Sequence, residues 1–110
     1  EESIRAMFAR PDGAAGYEAD GTPLDAYYAL GWMVRPRSDR LGDPDEGLPG
    51  MANHWHAGRL AGTTSLLVRR HDGLTWAILA NRGYGPDGEP MDDDIDGALH
   101  RAADAVRMWP

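Results

Sequence analysis

Two apolar stretches, Thr64–Arg70 and Leu74–Asn81, flank an Asp72-Gly73 pair and constrain the fold more than any other part of the chain. In the first, Leu66 and Val68 alternate with Leu67; in the second, Trp76 and Ile78 alternate with Ala77 and Leu79. Alternation of this kind, rich in β-branched and aromatic residues, predicts strands. Asp-Gly between them predicts a hairpin with a type I′ turn, because both residues tolerate positive φ. Since both faces carry apolar side chains, the hairpin is expected in mid-sheet with cover on both sides.

The rest of the chain is read around that hairpin. Residues 2–9 suit a short helix, with Ile4, Met7 and Phe8 at helical spacing, ended by Arg10-Pro11-Asp12-Gly13. Residues 1–26 thus form a helix-and-loop lead-in. Tyr27 to Arg35 reads as one strand, 36–50 as an acidic Pro/Gly-rich loop, and Asn53 to Ala57 as a short strand. Ile95, Leu99, Ala102 and Val106 form one stripe of an amphipathic helix over 92–108, with Asp92, Asp93 and Asp94 capping its positive end. The expected class is α+β: a 27–81 antiparallel sheet of about four strands with the C-terminal helix on one face. At 110 residues the chain reads as a single domain.

Composition removes several functions. A net charge of -7 disfavours nucleic acid, whose phosphates would be repelled. No apolar run approaches the about 18 residues of a membrane helix. The absence of cysteine excludes disulfides and thiolate metal sites and leaves the compartment open. All 11 basic side chains are Arg, with no Lys, a bias that fits a GC-rich bacterial genome. A start at Glu1 suggests a piece of a longer protein.

The run His56-Ala57-Gly58-Arg59-Leu60-Ala61-Gly62-Thr63-Thr64-Ser65 leads into the hairpin, which closes on Asn81-Arg82. With the upstream Tyr28-Ala29-Leu30-Gly31-Trp32, it resembles the C-terminal part of the serine β-lactamase and penicillin-binding-protein superfamily over roughly residues 27–107. His56-Ala57-Gly58 would be that family's third motif, with His in place of the usual Lys of Lys-Thr-Gly. The resemblance implies a parent hydrolase acting through an acyl-enzyme on a β-lactam, a D-amino-acid peptide or an ester, without a cofactor. It implies that His56 meets the acyl substrate and that the small Ala57 and Gly58 allow close approach. The Arg59 backbone N–H would be half an oxyanion hole, with no role for the Arg59 side chain. Two other family motifs are missing. No Ser is followed three residues on by Lys, and no Tyr two residues on by Asn or Ser. The isolated chain is therefore expected to be inactive. A non-catalytic interaction module built on the same sheet is the alternative.

Two further patterns invite metal. His54 and His56 share a strand face, yet no third or fourth ligand is identifiable, and His54 reads as a partly exposed residue beside the cleft. Asp92-Asp93-Asp94-Ile95-Asp96-Gly97 begins like a calcium loop, but Ala103 stands where a bidentate Glu is required. No metal site is expected. Because one helix covers only one apolar face, the chain is expected to form a homodimer or to associate with the missing N-terminal portion.

Overall fold

In a computed structural model, which describes residues 1–108, the class is α+β: an antiparallel sheet and a C-terminal helix. The elements are α1 (Glu2–Phe8), a 3-10 turn (Gly13–Ala15), β1 (Tyr27–Tyr28), β2 (Met33–Pro36), β3 (Ala52–Leu60), β4 (Thr63–Arg69), β5 (Thr75–Ala80) and α2 (Met91–Ala105). The sheet has five strands in the order β1-β2-β3-β4-β5. The expectation of about four fails because 27–35 is two strands. Gly31, with φ 84°, turns the chain, and Ala29 N–H donates to the Trp32 carbonyl at 2.8 Å. Such a φ is open to glycine and costly for most other residues.

The chain divides into two compact units, Glu1–His56 with Leu67–Trp76, and Ala57–Leu66 with Ala77–Pro110. In the first, Phe8, Tyr27, Val34 and Ala52 make a buried cluster, with Met7, Ala29 and Trp32 packed against it. Tyr27 pairs with Val34, and Val34 with His54, so these side chains share one face across three strands. Phe8, carried by α1, closes that face, its ring 4.3 Å from the His54 ring. His54 is thus in the core, 1% exposed, and not beside a cleft as the sequence suggested.

An ion pair lies buried next to this core. The Arg10 guanidinium donates from Nε to Glu46, and Glu46 accepts the Gly42 N–H with its other oxygen. Both side chains are at most 5% exposed. Arg10 also donates to the Gly16 and Leu24 carbonyls at 2.6 and 2.9 Å and sits 4.4 Å over the Tyr27 ring. Tyr27 donates its hydroxyl to the Phe8 carbonyl, and burial, with the Glu46 charge, pushes its pKa up to about 12. Pairing of this kind is what makes a buried charge tolerable, although the buried Nη2 of Arg10 has no partner.

The hairpin departs from expectation in two ways. Asp72 does not take positive φ; Gly73 does, at 91°. Gly73 N–H donates to Arg70 C=O at 3.1 Å, and Arg70 N–H to Leu74 C=O at 2.8 Å. The loop is a three-residue turn with glycine in the left-handed position, and Asp72 caps it by accepting Leu74 N–H. Nor is the hairpin in mid-sheet. β5 is an edge strand, and only one face of β4 is buried, through Thr64, Leu66 and Val68, while Leu67 and Leu79 are 39% and 88% exposed. The α2 stripe is shallow: Ile95 and Leu99 are half-buried, Ala102 is exposed, and Val106 lies past the helix end. The one buried residue of α2 is Asp92. No side chain caps that helix, so the aspartates act there through the dipole and through Asp92's own partner.

Candidate functional site

β3 is nine residues long, and β2 pairs only with its first four, ending at Met33 opposite Trp55. The register tells which backbone groups this leaves open. Arg37 N–H donates to Met51 C=O at 2.9 Å, in line with the pairs Pro36–Ala52 and Arg35–Asn53. Antiparallel pairs alternate between hydrogen-bonded and non-hydrogen-bonded. The odd-numbered residues of β3 therefore direct their backbone toward β2, and Ala57 and Arg59 do so beyond the point where β2 has begun. Among the described residues no backbone bond outside the sheet takes those groups. The Arg59 N–H, which the sequence nominated as an oxyanion donor, lies on this open edge.

In the first unit, His56 is exposed, and its Nε2 is 3.2 Å from the Tyr28 hydroxyl, with ring centroids 6.0 Å apart. In the second unit, Gly58 stands against β4. A Cβ on Gly58 would come within 2.5 Å of Ser65 Oγ, whose hydroxyl approaches the Gly58 carbonyl at 3.5 Å. A side chain there would require the Ser65 hydroxyl to turn away. Gly58, Arg59, Thr64, Ser65 and Leu79 line a hollow of about 800 Å³. Ser65 has no imidazole or carboxylate partner among the described residues, so nothing activates its hydroxyl.

The Arg59 side chain, given no role by the sequence, has a structural partner. Its Nε and Nη2 both donate to Asp92 Oδ1, at 2.9 and 2.6 Å, with Asp92 nearly buried and Arg59 half-exposed. This pair ties the end of β3 to the first turn of α2. The sequence held no local signal for it, since 33 residues separate the partners. Tyr28 as the neighbour of His56 was not legible either: the register puts Tyr28 opposite Met33 and Met33 opposite Trp55, the residue before His56 and on the other sheet face.

His54 and His56 have different fates. His54 donates Nε2–H to the Gly47 carbonyl at 2.7 Å, and its Nδ1 is buried without a partner. Burial holds its pKa below the ordinary value of 6.5, aided by the charge of Arg69 and opposed by the bond to Gly47. Among the described residues no group of His, Asp or Glu could hold a metal ion, and no helix is long and apolar enough to cross a membrane. Compared with known proteins, the chain matches no family model, no curated protein and no solved structure.

Proposed function

We propose that this chain forms one wall of an acyl-transfer site of the serine β-lactamase and penicillin-binding-protein type, the wall that receives the substrate. The observation that carries the reading is the open edge of β3 at Ala57 and Arg59, where an extended acyl substrate can add its own backbone hydrogen bonds. Gly58 keeps side-chain bulk away from the strand at this point, and the exposed imidazole of His56 precedes it. The Arg59 N–H would supply one donor to a developing oxyanion. The nucleophile, its base and the second donor would come from a segment bearing Ser-x-x-Lys, which this sequence lacks. A β-lactam, a D-amino-acid peptide and an ester all present the carbonyl this edge would hold.

The test has two arms. Incubation with a fluorescent penicillin or a fluorophosphonate should leave the intact mass unchanged, because no serine here is activated. Titration with a D-alanyl-D-alanine peptide should shift the Ala57 and Arg59 amide resonances saturably. A stoichiometric adduct, or amides that do not respond to the peptide, would overturn the reading.

A second reading, a non-catalytic interaction module, is favoured by a different observation: Leu79, 88% exposed, lies on the edge strand β5. An edge strand with exposed apolar residues is a template for pairing, most simply with a second copy of the chain.

A further inference from the structure

A separate hollow of about 350 Å³ is lined by Arg35, Arg37, Ser38, Asp39, Asn53 and His71. Its chemistry is decided by one amide. The His71 backbone N–H donates to Asn53 Oδ1 at 2.9 Å, and a backbone N–H has no other role, so Oδ1 is the acceptor. His71 Nδ1 approaches the same oxygen at 3.0 Å and must donate to it as well. The Asn53 oxygen is then fully used, and its NH2 group is left with two donors and no acceptor among the described residues.

Arg35 stands directly opposite Asn53 in the β2–β3 register, on the same sheet face. Its guanidinium is 5.0 Å above the Trp55 ring, which is the next residue of β3 on that face. Stacking positions the fork without using its N–H groups. No carboxylate pairs with Arg35 among the described residues. The other charges around the hollow are already matched. Arg37 holds Asp39 through two hydrogen bonds, at 3.1 and 3.0 Å, and Asp72, next to His71, is paired with Arg70 at 2.8 Å. One unmatched cation and one donor-only amide thus face a small hollow, on a chain of net charge -7.

We propose that this hollow is a binding site for a small oxyanion, the carboxylate or phosphate group of a small molecule. The Arg35 fork would take two of its oxygens or one, the Asn53 NH2 another, and the Ser38 hydroxyl is within the same lining. His71 positions the site without touching the ligand: by holding Oδ1 it turns the NH2 outward. The proposal is independent of the β3 edge and stands whether or not the acyl reading holds.

The probes are inorganic phosphate and acetate, titrated separately at constant ionic strength with chloride as the blank, and followed by the Asn53 side-chain amide and Arg35 Nε–H resonances. Saturable shifts with a dissociation constant on the order of millimolar are expected. The tighter of the two probes names the group. Arg35→Gln should weaken binding about tenfold or more. Asn53→Asp should abolish it, because it keeps an acceptor for His71 but replaces the NH2 by a carboxylate. Arg35 is exposed, so Arg35→Gln remains informative even where Asn53→Asp does not fold. Shifts that stay linear, that chloride reproduces, or that Arg35→Gln leaves unchanged would overturn the site.

Discussion

The two halves of β3 share one strand and behave as different materials. Ala52 to Trp55 is paired to β2, carries Ala52 and His54 into the core, and lies under Phe8. Ala57 to Leu60 has lost that neighbour, holds a glycine where a side chain would strike Ser65, and exposes Leu60 to 80%. The residue types do not make the difference, since each half contains a histidine or an arginine beside small residues. What makes it is where β2 begins. A strand keeps an open edge where its partner stops short.

If this contrast is right, mutations in the first unit and at Gly58, which packs against β4, should act on stability, and those at Ala57 and Arg59 on the open edge mainly on binding. The largest loss is expected for Glu46→Ala, which strands the Arg10 charge in a buried site; about 3–5 kcal/mol should disappear in urea unfolding. A loss below about 1 kcal/mol would mean that water reaches this pair. Gly58→Val comes next, at about 1–3 kcal/mol, because Ser65 must move to admit the new side chain. The Ser65→Gly, Gly58→Ala double variant should recover most of the Gly58→Ala loss, which a double-mutant cycle measures.

The contrast between the two histidines is graded by pH. His54 has its folded pKa depressed by burial. Above about 6.5 the residue is neutral in both the folded and unfolded chains, and its full contribution is present. As pH falls below that value, unfolded chains take up a proton that folded ones refuse. Stability therefore declines from there down to the lower folded pKa. Unfolding midpoints at pH 7.5 and 5.5 should differ in the wild type, and the part due to this residue should vanish in His54→Phe. The smallest effects belong to the second unit. Asp92→Asn should cost no more than about 1 kcal/mol, because Arg59 is half-exposed and water can replace its partner. Leu79→Gln should leave the unfolding midpoint within experimental scatter and, if copies associate through β5, should lower the scattering mass at micromolar concentration. An unchanged oligomer would remove β5 as the contact.

Local pattern made part of this legible. Alternation at 64–70 and 74–81 located β4 and β5 to within a residue or so, because period-2 side-chain direction is a property of the strand itself. The 27–35 run misled, since aromatic and β-branched residues continue across the turn and only Gly31 marks it. The two faces of the hairpin also misled: apolar alternation says that a face is able to be covered, and the edge position of β5 decides that one is not. His54 and His56 are indistinguishable by parity. Their environments separate because α1 brings Phe8 over the first and Tyr28 comes to lie beside the second. Asp92 was read as a cap because its neighbours suggested it, whereas Arg59, far away in sequence, is what holds it.

The Arg10–Glu46 contact spans 36 residues. It encloses β1 and β2 within the loop that it closes. Drawing two such distant points together costs roughly 3 kcal/mol of chain entropy on its own, from the logarithmic growth of loop-closure cost with length. That cost falls steeply once β1, β2 and β3 have already paired, because the intervening chain is then short-circuited by the sheet. The ion pair is accordingly a late event, a latch set after the strands and not a nucleus for them. Its removal should quicken unfolding far more than it slows folding.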